Sequence, residues 1–312
     1  MEGQMKILIM GAGALGGYFG ARLQAAGHDV VYVARGAHLK AMQNKGLSIE
    51  SGCGDFHLPR VQATDDPSSH RDVDAVIFMV KNYDVETAAD LMAPAINDKT
   101  IVVTGQNGVS APDRLAARLG PEQIFPGAVY MPADVKAPGV IRHPSDFHRI
   151  VVGSLSGTWS DTAHAFVDAV RASGPVCETA EDIRAMLWEK FVFLSSLAAM
   201  TCITRADAGP VRGTPETAQL LHQAISEAAA VGHAECPTLV PDVAEKVWTF
   251  FHEGIGPDVH SSMLDDLNRG KRLELNYLNG DIAARGAKHG IETPVHSFVT
   301  AALQMYVDGA PA

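Results

Sequence analysis

Cysteine is sparse in this 312-residue chain, and Cys53, Cys177, Cys202 and Cys236 lie far apart. They form no CxxC pair and no His/Cys spacing of the zinc type, so no metal site is legible and reduced thiols in a cytosolic protein are expected. Basic charge is also short. Lys and Arg number 25 against 36 Asp and Glu, a formal net charge of −11, which argues against nucleic acid or an anionic membrane as the main partner; any anion must be held by locally placed basic residues. No apolar run reaches membrane-spanning length, and the first strand begins at Lys6 without a basic and apolar leader, so a cytoplasmic location and no membrane partner are expected. Repeats, linkers and low-complexity segments are missing too. With 46% hydrophobic residues and a length generous for one core, the composition is that of a soluble two-domain enzyme.

What the chain does have is a fingerprint at its start. Lys6 Ile7 Leu8 Ile9 Met10 Gly11 Ala12 Gly13 Ala14 Leu15 Gly16 Gly17 joins a short apolar run to G-x-G-x-x-G and then to an apolar-periodic segment. This is the strand, turn and helix order of a dinucleotide-binding βαβ unit. Gly11 permits the tight turn, Gly13 lets backbone approach a pyrophosphate, and Gly16 lets the helix pack close to the strand; Ala12, Ala14 and Leu15 belong to the same cofactor-binding turn. The second strand, Asp29 Val30 Val31 Tyr32 Val33, ends without the Asp or Glu that holds the ribose hydroxyls of NAD and runs into Ala34 Arg35 instead. An arginine there can stack on adenine and grip a 2′-phosphate as a charged fork, so NADPH is favoured over NADH.

Up to about residue 180, strands and helices alternate as a parallel sheet requires. Residues 75–80 and 100–103 read as buried strands ending at Lys81 and near Gln106 Asn107 Gly108, which places Lys81 and Asn107 on the ligand side of the sheet. Further strands are expected at 124–131, 139–143 and 148–153, the last two as a hairpin, and at 175–179 behind a helix at 161–172. From Ala180 onward the periodicity is helical, over 182–197, 216–231, 241–253, 262–269, 274–289 and 296–307. The expected fold class is α/β, with an N-terminal Rossmann-type parallel-sheet domain over residues 1–179 followed by an all-helical C-terminal domain over 180–312.

In the helical half, Met186 Leu187 Trp188 Glu189 Lys190 Phe191 sets a lysine in an otherwise apolar helix. Ser261 Ser262 Met263 Leu264 Asp265 and Leu273 Glu274 Leu275 Asn276 Tyr277 Leu278 Asn279 Gly280 follow it. In this order behind the glycine fingerprint, with Lys81 and Gln106 Asn107 Gly108, these segments make the chain resemble the ketopantoate reductase (2-dehydropantoate 2-reductase) family from Met5 to about Tyr306. The resemblance implies NADPH-dependent reduction of a small 2-oxo acid to the 2-hydroxy acid, a step of pantothenate biosynthesis. It implies that Lys190 donates the proton to the forming alkoxide and that Glu274 lies near the cofactor and the reacting centre. Asn107 would then touch nicotinamide and substrate, Ser261 and Ser262 the substrate carboxylate, and Lys81 and the Ala133 backbone the cofactor. The chemistry suits the lysine, because a partly desolvated ammonium can polarise a carbonyl and hand over a proton near neutral pH. The blander alternatives are a snorkelling lysine, a solvated carboxylate at a helix start, an Asn-Gly turn and a serine helix cap.

The departures from the family bear on the substrate. Leu194 and Ala198 stand where the family has asparagines one and two turns after the lysine, and Ala208 and Val259 replace further amides. Lys190, Leu194 and Ala198 share one helix face, so the pocket is expected to be apolar where ketopantoate presents its hydroxyl, and an unpaired hydroxyl costs ~1–3 kcal/mol. Ser195, Ser196 and Thr201 are the nearby hydroxyls that could compensate. Two alternatives are therefore carried forward, a reductase of a more apolar 2-oxo acid and a catalytically silent NADPH-binding sensor or partner protein. A 3-hydroxyacid dehydrogenase of the 6-phosphogluconate dehydrogenase type fits the order of segments less well. The helical half is expected to hold the substrate and any homodimer contact.

Overall fold

Runs of Val, Ile and Leu with almost no polar interruption form strands that are buried on both faces. The computed structural model describes residues 3–311 and divides into two compact units, one built from the chain up to Gln106 together with Ala111–Ile183, the other from Asn107–Ser110 together with the chain from Arg184 onward. The first unit holds strands β1 (Lys6–Met10), β2 (Asp29–Val33), β3 (Leu47–Ser51), β4 (Phe56–Leu58), β5 (Gln62–Thr64) and β6 (Ala75–Phe78). It continues through β7 (Ile101–Thr104), β8 (Ile124–Tyr130), β9 (Asp134–Ala137), β10 (Val140–His143), β11 (Arg149–Val152) and β12 (Val176–Thr179). Its helices are α1 (Ala14–Ala25), α2 (Gly36–Lys45), α3 (Val85–Met92), α4 (Ala111–Leu119) and α5 (Asp161–Ala172).

The larger sheet has the order β12-β11-β8-β7-β6-β1-β2-β5. Its central strand β1 is packed on both sides: Ile7 and Ile9 face a layer with Tyr18 and Phe19 of α1, whereas Leu8 and Met10 face one with Val85 and Met92 of α3 and Leu115 of α4. The glycine turn brings α1 close against this strand. Gly11 adopts φ +94°, and a Cβ on Gly16 would stand 2.4 Å from the Gly11 carbonyl oxygen. Gly16→Ala must therefore push α1 off β1, with an overpacking cost of ~1–3 kcal/mol. A lower thermal midpoint together with weaker dinucleotide binding is expected, measured by calorimetry and titration; an unchanged midpoint would show that the turn relaxes freely.

One expectation about this unit is refined and one is corrected. The sheet is not wholly parallel, because β11 runs antiparallel to β8. The strands near 140 and 150 are no hairpin either. β10 pairs with β3 and β9 in a second sheet of order β4-β3-β10-β9, while β11 pairs with β8 and β12 in the large one. The apolar Ile150, Val151 and Val152 find buried partners there that a two-stranded ribbon would not offer, and Ile141 packs instead against Gly17 of α1.

The second unit is helical, with α6 (Ile183–Thr204), α7 (Ala208–Gly213), α8 (Pro215–Glu235), α9 (Val243–Thr249), α10 (Ser262–Asn268), α11 (Asn279–His289) and α12 (Pro294–Leu303). Contrary to the expectation that no apolar run is long enough, α6 has the length and hydropathy to cross a membrane; 67% of that window is buried within the protein, as in a core helix. Around it stand Gly232 of α8 against Trp188, Ser261 against Thr201, and Asn279, whose Nδ2 donates to the Ser195 carbonyl at 2.9 Å. The helix expected over 274–289 is broken. A 3₁₀ turn at Leu275–Tyr277 ends at Leu278 (φ −114°, ψ −93°), because the buried Asn279 side chain, held by Ser195 and His296, fixes the start of α11 one residue later. A five-residue π-helical turn, Phe250–Gly254, likewise extends α9.

Candidate functional site

In the first unit the carboxyl ends of β1, β2 and β6 open onto a cavity of about 310 Å³. Gly11, Ala12 and Gly13 form its floor, and Arg35 and Lys81 line it. The turn is tied to the sheet by the Ala12 N–H, which donates to the Val33 carbonyl at 2.8 Å. Arg35 immediately precedes α2 and is largely exposed, with Nη1 3.6 Å from the Asp84 carboxylate. Ala14, Leu15 and Gly16 open α1 behind this floor and do not line the cavity. Ala133 lies in the turn between β8 and β9, two residues before Val135, which does.

Two polar lining residues escaped the sequence reading. His38 accepts the Gly139 N–H at its Nδ1, 3.1 Å away, and burial lowers its pKa, with the Ala12 backbone opposing. Asp84 immediately precedes α3, three residues beyond Lys81. It could have been found, since the rule that placed Lys81 at a strand's carboxyl end covers the next few residues as well. His38 carries no local pattern, because its partner is 101 residues away.

The second unit assembles a different set. Lys190, half-buried on α6, donates from Nζ to the Asn107 side-chain oxygen at 3.4 Å. Burial pushes its pKa down to about 8. Gly108, at φ +90°, allows the Asn107 segment this approach: a Cβ there would stand 2.9 Å from the Tyr277 carbonyl oxygen and 3.8 Å from the Phe191 ring. Glu274 is buried at 6% exposure just before the Leu275–Tyr277 turn, and its carbonyl accepts the Tyr277 N–H at 2.9 Å. Asn107 and Gly108 thus meet the Lys190 helix and the turn that follows Glu274.

The two serines separate in role. Ser261 is the buried N-cap of α10, accepting the Leu264 N–H at 3.2 Å and meeting Thr201 Oγ1 at 2.9 Å. Ser262, at the first helical position, is exposed. Of the candidate compensating hydroxyls, Ser196 and Thr201 donate to the Val192 and Leu197 carbonyls one turn back, and Ser195 is fully buried. Leu194 is half-buried, while Ala198 and Ala208 are enclosed and the Ala208 N–H donates to the Val259 carbonyl.

A glycine turn under a basic cavity and a lysine with a lowered pKa beside an amide are the parts of a carbonyl reductase. The sequence model of the family described as ketopantoate reductase PanE/ApbA matches residues 7–157, and its C-terminal counterpart matches residues 182–307. The chain belongs to the ketopantoate reductase family. It is an oxidoreductase, as the family's members are. The 2-dehydropantoate 2-reductase of Archaeoglobus fulgidus is 32% identical over 296 residues, covering 93% of this chain and 94% of the relative. The ketopantoate reductase structure from Ralstonia eutropha JMP134 superposes with a TM-score of 0.89 at 32% identity, covering 97% of this chain and 98% of the other. D-mandelate dehydrogenase, solved with NADH and anilino(oxo)acetate, shares the fold at a TM-score of 0.87 and 21% identity, covering 97% and 98% of the two chains.

Proposed function

We propose that this enzyme reduces a 2-oxo acid of the ketopantoate class to the 2-hydroxy acid, with NADPH as the preferred dinucleotide. The observation that carries the reading is Lys190, a half-buried ammonium with a pKa near 8 that donates to Asn107. The first unit fits the dinucleotide: a Cβ on Gly13 would meet nothing within 4 Å, which leaves backbone open to a pyrophosphate, and Arg35 and Lys81 supply positive charge beside it. Bound, the cofactor supplies the hydride. Lys190 polarises the ketone and gives its proton to the alkoxide, Asn107 orients the lysine and the substrate, and Ser262 receives the carboxylate. Glu274, buried close by in sequence to Tyr277, helps set the lysine's charge and orientation. Residues 1–179 then act as the dinucleotide-binding domain and residues 180–312 as the substrate domain with any homodimer contact. The four cysteines, all free, suit a reducing cytoplasm.

Following NADPH and NADH oxidation against a panel of 2-oxo acids tests the assignment; no turnover of any 2-oxo acid with either nucleotide would overturn it. Arg35→Ala is expected to weaken NADPH binding by about tenfold or more while changing NADH little, since it removes a charged fork aimed at the 2′-phosphate. Fluorescence titration of both nucleotides reads the effect, and equal losses for the two would reassign Arg35 to the adenine ring alone. A more apolar 2-oxo acid is a second reading. It is favoured by Leu194, half-buried on the face of Lys190 with the neighbouring hydroxyls of Ser196 and Thr201 already engaged.

A further inference from the structure

The end of β2 carries no carboxylate, but the segment after β6 brings one to the same cavity. Asp84 lines the same cavity as Arg35, and its Oδ2 lies 3.6 Å from the guanidinium. Helix capping does not account for it, because the side chain bonds no N–H group of α3. We infer that Asp84 is a specificity-determining residue of this cavity, placed to accept a ribose 2′-hydroxyl and to oppose a 2′-phosphate, so that the enzyme accepts NADH alongside NADPH. The inference rests on the dinucleotide reading proposed above.

The two nucleotides differ in what they must displace. A 2′-phosphate carries up to about two negative charges, and to reach Arg35 it must take the place of a carboxylate of the same sign. A 2′-hydroxyl needs no such exchange, since it can donate to Asp84 while Arg35 stays paired. Both side chains are partly exposed, at 59% and 35%, so water screens the pair and Arg35 can be drawn away. The cavity therefore tolerates NADPH without excluding NADH. His38 does not tip this balance: its Nδ1 accepts a backbone N–H, and burial disfavours its cation, which leaves Arg35 and Lys81 as the lining cations against the one carboxylate.

The test uses the intact enzyme and titrates NADPH and NADH separately against the unmodified protein and Asp84→Asn. The unmodified protein is expected to bind both, and Asp84→Asn to raise the preference for NADPH about tenfold, mostly by tightening NADPH, as removal of one partly screened like charge implies. Asp84→Ser, which also removes the charge while keeping a capping oxygen, must move the ratio in the same direction, so a folding defect in either variant cannot decide the outcome. An unchanged ratio with NADPH still bound would overturn the role of Asp84 alone. Failure of the unmodified enzyme to bind either nucleotide would instead sink the dinucleotide reading, and this inference with it.

Discussion

Lys190→Ala is expected to lower the rate of 2-oxo acid reduction by ~10²–10⁴-fold, the range that a positioned general acid supplies, while leaving folding and dinucleotide affinity intact. Alanine suits the middle of α6, and the change removes a desolvated charge, so the helix has no reason to melt. The pH profile gives a second readout. With a pKa near 8, the ammonium is present below that value and is lost as pH rises through it, so kcat/KM for reduction should hold level at neutral pH and fall above 8. An ordinary exposed lysine would hold out to about 10.4. The stability sign is opposite to that of a stabilising ion pair: because the folded pKa lies below the unfolded one, the charge opposes folding fully below pH 8, and that opposition fades as pH rises from the folded pKa and is gone above the unfolded one. Single-turnover kinetics with nucleotide titration separates the cases. A variant that unfolds or loses nucleotide, with its folded fraction keeping full rate, would make Lys190 a structural residue.

Leu194→Asn is expected to shift selectivity toward ketopantoate by about tenfold relative to the analogue that lacks its hydroxyl, as pairing an otherwise stranded hydroxyl implies. The unmodified enzyme should prefer the analogue or a bulkier apolar 2-oxo acid, with ~0.8 kcal/mol gained for each further buried methylene. Four apolar replacements were legible in the sequence, and the structure leaves two of them half-buried, Leu194 and Val259, of which Leu194 shares α6 with Lys190. Ala198 and Ala208 are enclosed, so an amide there would have to be packed into a closed interior, whereas Leu194 keeps partial access one turn beyond Lys190. Comparing kcat/KM for the two substrates in both proteins decides the matter. A strong preference for ketopantoate in the unmodified enzyme, unmoved by the asparagine, would show that other residues read the hydroxyl.

What the sequence disclosed and what it withheld divide along the range of the interactions. β1, the glycine turn and α1 were legible because their pattern is local: an apolar run, a glycine spacing and a helical period within 25 residues. The β4-β3-β10-β9 sheet was not, since its strands are short and half polar and join segments some 90 residues apart, as Arg142 opposite Glu50 illustrates. Lys190 stood out as a lysine in an apolar helix and Asn107 by its place at a strand end, and the family resemblance supplied their expected roles. Asp84 was overlooked although it lies three residues beyond Lys81 at the same carboxyl end, and its distance from Arg35 is what singles it out. Ser261 shows the reverse case, in which the commonplace role of N-cap is what the backbone uses it for.

The excursion of Asn107–Ser110 into the second unit has a consequence for biogenesis. The chain leaves the first unit after Gln106, returns at Ala111 and leaves again after Ile183, so neither unit is a continuous stretch and no single cut separates them. On the ribosome, residues 107–110 emerge well before their neighbours: the Lys190 partner is 83 residues downstream, and the Tyr277 carbonyl against Gly108 is later still. The sheet can close while this tetrapeptide is still waiting. During refolding, sheet and helix signals should therefore recover before turnover does, because the lysine and its amide meet only when the most distant contacts form.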